Sequence, residues 1–363
     1  ENSLYNGHPR FWGYITSSPA PIGALGDMLA AAVNPNVGGW KLSPMASEIE
    51  AQTIRWVAEL IRYPIDCGGL LTSGGNMANM IGILAARVAK ARWNVRERGL
   101  HYDNAKRPTL YAAAETHTWL QKAADLFGFG TDAIRWIEVD GERRMDVERL
   151  RQQIERDLDD GYLPMVVVGS AGTVSTGAVD PVRAIAAVCR EYGMWFHIDG
   201  AYGGFAAVVP EAPEELHHMA EADSIAIDPH KWLYAPLEAG CTLVKSAEAL
   251  RAAFAYHPPY YHLEEEATNY FDYGPQNSRG FRALKVWLAL QQVGRTGYEE
   301  MIGDDIRLAE ALFRKVQETP DLEALTQSLS ITTFRYVPQD YRDRRDDVSN
   351  EYLNQLNEEI LQR

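Results

Sequence analysis

Short apolar runs set apart by amphipathic stretches fill the middle of this chain, and that alternation narrows the folds open to it more than any other feature. The runs are Leu110–Ala114, Ile134–Val139, Met165–Gly169, Met194–Asp199, Ser224–Ile227 and Cys241–Val244, while stretches such as Val147–Leu158 and Val182–Tyr192 repeat at helical spacing. Alternation of strand-like and helical stretches of this kind implies a mainly parallel sheet covered on both faces by helices. Upstream, Met45, Ile49, Thr53, Trp56, Val57 and Leu60 mark a helix, with Glu48 supplying negative charge near its start. With 363 residues, 46% of them hydrophobic, the chain can build one large core and a smaller satellite domain.

In sheets of this kind ligands bind beyond the carboxyl ends of the strands, and the reactive residues fall there. His117 follows one run, Thr173 another, Asp199 closes a third and Lys231 follows Ser224–Ile227. After Tyr256 the texture changes: His257 to Pro275 is a polar and aromatic loop without periodicity, long enough to expect a functional role. Arg279–Gly294 then reads as a helix, Tyr298–Gln317 as a second one opening a smaller domain with the strand Ile331–Val337, and Asn350–Arg363 as a last helix.

Several of these residues carry chemistry together. Lys231 stands in Asp228-Pro229-His230-Lys231-Trp232, where Pro229 and Trp232 confine it. Asp199 ends a buried strand, where an acid is costly without a cationic partner, and Gly200-Ala201-Tyr202-Gly203-Gly204 after it leaves room for a flat ring. Thr72-Ser73-Gly74-Gly75-Asn76 leads into the helical run Met77–Ala91, which suits an anion at a helix N-terminus. No Gly-Lys-Ser/Thr follows, so this is not a P-loop; Gly169-Ser170-Ala171-Gly172-Thr173 is a second such turn. His117 offers a flat side chain. Read singly, each has a structural explanation: a loop lysine, a salt-bridged acid, a core histidine. Read together they meet the needs of pyridoxal 5′-phosphate (PLP): a lysine for the aldehyde, a carboxylate for the pyridine nitrogen, amides for the phosphate and a flat partner for the ring.

Composition removes other classes. A net charge of −15 argues against nucleic acid as a partner. Cys67, Cys189 and Cys241 form no CxxC pair and read as small buried hydrophobes in a reducing cytoplasm. No apolar run approaches a membrane span, and the first residues carry no signal peptide. His217 and His218 are adjacent, not four apart, which disfavours a metal site.

The chain resembles the PLP-dependent group II amino-acid decarboxylases, which act on aromatic amino acids, histidine and glutamate. The likeness runs through Gly7-His8-Pro9-Arg10-Phe11, Ser43-Pro44 with Glu48, Ser73-Gly74-Gly75-Asn76, His117, Gly172-Thr173, His197–Gly203, Asp228–Trp232 and Arg279–Trp287. It implies an α/β fold of the aspartate-aminotransferase type (fold type I), with a mainly parallel seven-stranded sheet and a partial small C-terminal α+β domain. It implies that Lys231 holds the cofactor, Asp199 pairs with the pyridine nitrogen, His117 stacks on the ring, Gly75 and Asn76 hold the phosphate, Thr173 and Ala201 line the cofactor, and His230 lies beside the lysine. Tyr270 aligns with the loop tyrosine that returns a proton after carbon dioxide leaves, with Tyr273 as the alternative. Asp228 departs from an asparagine common near the phosphate, and Gly280 from a common arginine after Arg279.

The resemblance further implies a homodimer. Residues 1–19 are expected to be the remnant of a dimerisation arm, 20–297 the large PLP-binding domain and 298–363 an incomplete small domain; with no initiator methionine, the sequence reads as part of a longer protein. Trp12, Tyr14 and Ile15 resemble the aromatic-lined substrate entrance, and Gly38-Gly39 leave space where relatives carry bulk. The expected reaction is therefore decarboxylation of an aromatic L-amino acid, with an aromatic aldehyde synthase or another carbon–carbon lyase of the same fold as the rival enzyme and an inactive scaffold as the non-enzymatic rival.

Overall fold

Seven strands form the main sheet: β1 (Gly68–Thr72), β2 (Pro108–Ala113), β3 (Ile134–Ile137), β4 (Leu163–Ser170), β5 (Trp195–Asp199), β6 (Ser224–Ile227) and β7 (Gly240–Val244). In the computed structural model, which describes residues 4–15, 17–101, 105–258, 267–344 and 346–362, they lie in the order β1-β7-β6-β5-β4-β2-β3. All neighbours run parallel except β7, which is antiparallel to both β1 and β6. Every residue of β2, β5, β6 and β7 is buried, which accounts for runs without polar alternation.

The strand that the apolar runs did not reveal is β1. Its Gly-Gly-Leu-Leu-Thr sequence lacks β-branched weight because neighbours press on it: a Cβ at Gly68 would lie 2.6 Å from Ala247 Cα, and one at Gly69 2.7 Å from the Thr242 carbonyl oxygen.

The helices are α1 (Pro21–Val33), α2 (Pro44–Leu60), α3 (Gly75–Lys90), α4 (Val95–Arg98), α5 (Trp119–Leu126), α6 (Val147–Asp159), α7 (Val182–Tyr192), α8 (Pro229–Trp232), α9 (Ala247–Phe254), α10 (Ala283–Gln317) and α11 (Asp347–Gln362). Helix α3 lies across β4 to β7 between α5 and α9, while α6 and α7 pack on β3 to β5. The buried face of α2 runs through Glu50, Thr53, Ile54 and Val57 and leaves Met45 in solvent. The two helices expected on either side of Gly294 form one run broken at that residue, whose φ of 68° and ψ of 174° are not helical. Strands β8 (Leu322–Ser328) and β9 (Ile331–Tyr336) make an antiparallel hairpin against α10. Its tip reaches back to the main sheet, where Ser330 Oγ lies 2.6 Å from the Tyr202 hydroxyl. No helix among the described residues is long and apolar enough to cross a membrane.

One ion pair is sealed inside this frame. Glu50 and Arg279 have side chains 0% and 1% exposed. Arg279 donates to both Glu50 oxygens and to the carbonyls of Val37 and Leu71, and Glu50 accepts from the Leu71 amide. The pair thus joins α2, β1 and the segment leading into α10. Removing one partner strands a buried charge, so Glu50→Gln should lower unfolding free energy by about 3–5 kcal/mol in urea titrations. A loss below about 1 kcal/mol would mean that the site behaves like an exposed pair.

Candidate active site

The carboxyl ends of β4, β5 and β6 and the N-terminus of α3 enclose a cavity of about 670 Å³, within the range that holds small molecules and cofactors. Lys231 reaches it from α8, a helix opened by Pro229 at its first position, where the missing N–H costs nothing. The Nζ of Lys231 lies 3.1 Å from Asp228 Oδ2. Asp305 on α10 accepts from Trp232 Nε1 (2.9 Å) and the Tyr234 hydroxyl (2.5 Å), which clamps the far side of α8. On the cavity side of Trp232, Tyr202 lies against its indole with centroids 4.9 Å apart.

Asp199 is buried at the end of β5, with both oxygens engaged. Oδ2 accepts from Trp119 Nε1 at 2.6 Å and Oδ1 from the Ala201 amide at 3.1 Å. Behind it, His197 is fully enclosed: Ser224 Oγ lies 2.7 Å from its Nδ1 and Asn79 Oδ1 2.8 Å from its Nε2. The amide oxygen can only accept, so Nε2 carries the proton and Nδ1 takes one from Ser224. Burial pushes this imidazole down to about 4 against the opposing pull of Asp199, so the ring beneath the acid is neutral.

Gly74 starts α3 at φ +113°, a backbone that side chains rarely adopt, and no side chain caps the helix. A Cβ at Gly75 would sit 2.7 Å from Asp228 Oδ2 and 3.0 Å from Ala201 Cβ, so the cradle closes if that glycine gains a side chain. Lys231 is the one lysine, and no arginine stands, among the described residues lining the cavity. An anionic phosphate here would be met by backbone N–H groups and the helix dipole. The uncapped α3 terminus beside a glycine-only wall, the anchored carboxylate and the partly sheltered lysine fit PLP: Ser73, Gly75 and Asn76 would hold the phosphate, Asp199 the pyridine nitrogen and Lys231 the aldehyde.

The structure brings most of the expected residues together. Lys231, Asp199, His117, Gly75, Asn76, Thr173, Ala201, His230, Tyr14 and Ile15 all line this cavity. His117 is exposed at its rim, its Nδ1 accepting from the Trp119 amide at 3.2 Å.

Three expectations change. Tyr270 does not reach the cavity: it is 1% exposed, with the Arg279 guanidinium 4.9 Å above its ring, and burial holds its hydroxyl well above the usual tyrosine range. Tyr273, packed edge-on against it and 5% exposed, is no better placed. Residues 259–266 of the same loop lie outside the described residues. Trp12 stands 78% exposed and away from the cavity lining. Gly38 and Gly39 also lie elsewhere; a Cβ at Gly38 would fall 1.9 Å from the Asn277 carbonyl oxygen, so backbone packing, not substrate room, explains it. Sequence reasoning passed over Trp119 and Asn79. Trp119 had a signal, its place two residues after His117 at a strand end; Asn79, inside a helical run, had none.

A model of the pyridoxal-dependent decarboxylase conserved domain matches residues 3–337. An aromatic-L-amino-acid decarboxylase of Bacillus atrophaeus is 33% identical over 98% of this chain and 72% of that protein. A phenylacetaldehyde synthase of a Rosa hybrid cultivar is 28% identical over 98% of this chain and 71% of its own length. Among solved structures, mouse CSAD in apo form superposes with a TM-score of 0.90 at 27% identity, covering 98% of this chain and 74% of that one.

Two outcomes follow from the site's hydrogen bonds. Trp119→Phe removes a donor to an ionised oxygen and should raise the Kd for PLP about tenfold in absorbance titrations; an unchanged Kd would show that the indole does not hold Asp199. In ¹⁵N-histidine spectra of the cofactor-free protein, one imidazole of the nine should stay neutral down to pH about 5, and titration of all of them near 6.5 would contradict the buried network.

Proposed function

The chain belongs to the pyridoxal-dependent decarboxylase family, and on that premise we propose that it converts an aromatic L-amino acid into the corresponding amine and carbon dioxide. The observation that carries the reading is the convergence of Lys231, Asp199 and the α3 N-terminus on one cavity. PLP bound there supplies an electron-accepting ring that takes up the pair left by the broken Cα–carboxylate bond. Lys231 holds the cofactor and exchanges protons at Nζ when substrate arrives and product leaves. Asp199, held by Trp119 and Ala201, keeps a proton on the pyridine nitrogen. The α3 amides with Ser73 and Asn76 bind the phosphate, Thr173 and Ala201 wall the ring, and His117 is the flat side chain at the rim that can meet ring and substrate carboxylate.

Two facts favour an aromatic side chain. Tyr14 and Ile15 form part of the rim, and no arginine among the described lining residues would pair with a second substrate carboxylate. The aldehyde synthase reading stays in view on a specific ground: such a synthase is 28% identical over the same span, and Tyr270, the residue offered for plain decarboxylation, lies outside the cavity.

The wider organisation belongs to the same proposal: a large domain over 20–297, a small one over 298–363 and a dimerisation segment over 1–19, working as a cytoplasmic homodimer. The outer face of α1 supports the dimer. Leu25, Met28, Leu29 and Val33 are 55%, 66%, 51% and 66% exposed at helical spacing. The cysteines Cys67, Cys189 and Cys241 are free, which suits a reducing compartment.

Incubating the protein and PLP with tryptophan, tyrosine, phenylalanine, DOPA, histidine and glutamate, and scoring amine, carbon dioxide and peroxide, tests the reaction. Amine and carbon dioxide from an aromatic substrate are expected; aldehyde with peroxide would install the rival, and turnover of glutamate alone would reject the aromatic reading. Light scattering should give twice the chain mass for the wild type and the single mass for Met28→Glu/Leu29→Glu; a monomeric wild type would reject the dimer.

A further inference from the structure

Asp228 answers to none of the needs met so far, yet it sits in the middle of the site. It precedes α8, is 2% exposed, and touches the first turn of α3 so closely that a Cβ at Gly75 would lie 2.7 Å from its Oδ2. That turn is where the phosphate belongs in the reading above, on which this inference rests. Its Oδ1 is buried without a hydrogen-bond partner. An ionised carboxylate with a bare buried oxygen is unfavourable, whereas a carboxylic acid carries a proton that a phosphate oxygen can accept.

The surroundings point the same way. Lys231, with Nζ 3.1 Å from Oδ2, is the cation in contact, and it is the residue that the cofactor engages. His230 Nδ1 faces the backbone of Ala239, 2.6 Å from its carbonyl oxygen and 3.3 Å from its amide nitrogen, which leaves Nε2 3.7 Å from Asp228 Oδ2. From β5, Asp199 adds a second negative charge; from β7, the buried Cys241 thiol is held uncharged; the first turn of α3 brings no acid. Burial raises the Asp228 carboxyl above the ordinary carboxylate value, Lys231 and His230 oppose that, and Asp199 adds to it. A phosphate dianion arriving against the same side chain raises it further.

We propose that Asp228 is a neutral carboxylic acid when PLP is bound and donates a hydrogen bond to the phosphate, so that cofactor binding draws a proton into the site. A group whose pKa rises on binding takes up a proton. Affinity is then full below the free-state value and falls about tenfold per pH unit between the free and bound values. An amide at this position would donate the same hydrogen bond at any pH.

The test is calorimetric titration of PLP into cofactor-free protein, in buffers of differing ionisation enthalpy, for the wild type and Asp228→Asn. Pyridoxal, which lacks the phosphate, serves as control. The wild type should take up about one proton more than the variant with PLP, but not with pyridoxal, and its Kd should climb about tenfold per pH unit relative to the variant. Equal proton counts and parallel pH profiles would overturn the inference and leave the cofactor reading standing; wild-type protein that binds neither compound would overturn both. Because the variant could fold poorly, an infrared difference spectrum of the wild type with ¹³C-labelled aspartate gives a second readout. A protonated-carboxyl band appearing with PLP supports the assignment, and its absence refutes it.

Discussion

Glu50 and Arg279 hold two opposite charges where no water reaches them, and the surrounding structure makes that arrangement tolerable. Desolvating such a pair costs several kcal/mol per ion, on the order of what its attraction returns, unless further hydrogen bonds are made. Here the carbonyls of Val37 and Leu71 and the Leu71 amide supply them. Those groups belong to the segment before α2 and to β1, so satisfying the pair fixes β1 in register beside β7 and α2 beneath both. The turn out of β1 then aims the α3 N-terminus at the ends of β5 and β6. The proposed phosphate cradle is thus set by an ion pair that lies outside the cavity lining.

On the other side of the site, charge is managed by keeping most groups neutral or tied. His197 lies under Asp199 as an uncharged ring, fixed by Ser224 and Asn79, while the indole of Trp119 and the amide of Ala201 hold the acid. Such a shell keeps a carboxylate oriented without surrounding it with cations. Lys231 is anchored from behind through Trp232, Tyr234 and Asp305, and the β8–β9 hairpin braces Tyr202, which packs on Trp232. The small hairpin unit therefore bears on the position of the lysine although it contributes no residue to the cavity lining.

How much of this could be read from the chain differs by residue for physical reasons. Strands β2 and β4 to β7 announced themselves because burial on both faces leaves largely apolar runs, and His117, Thr173, Asp199 and Lys231 were legible because each follows or closes one. Strand β1 stayed silent because close packing against Ala247 and Thr242 demands glycine where a β-branched residue would have signalled. The loop after Tyr256 has no periodicity to fix an alignment and several tyrosines to choose from, so only burial could remove Tyr270 and Tyr273. Gly38 was read as space for a substrate, although a backbone carbonyl occupies that space. Asn79 had no signal at all, since a buried amide inside a helix looks like any polar residue on its surface.

The claim on which everything else rests is that Lys231 receives the cofactor in this cavity. Borohydride reduction of the PLP-loaded protein, followed by proteolysis and mass mapping, addresses it directly. The account predicts a pyridoxyl group on the peptide that contains Lys231, absent from Lys231→Ala; a label on another lysine, or an equal label in the variant, would contradict it.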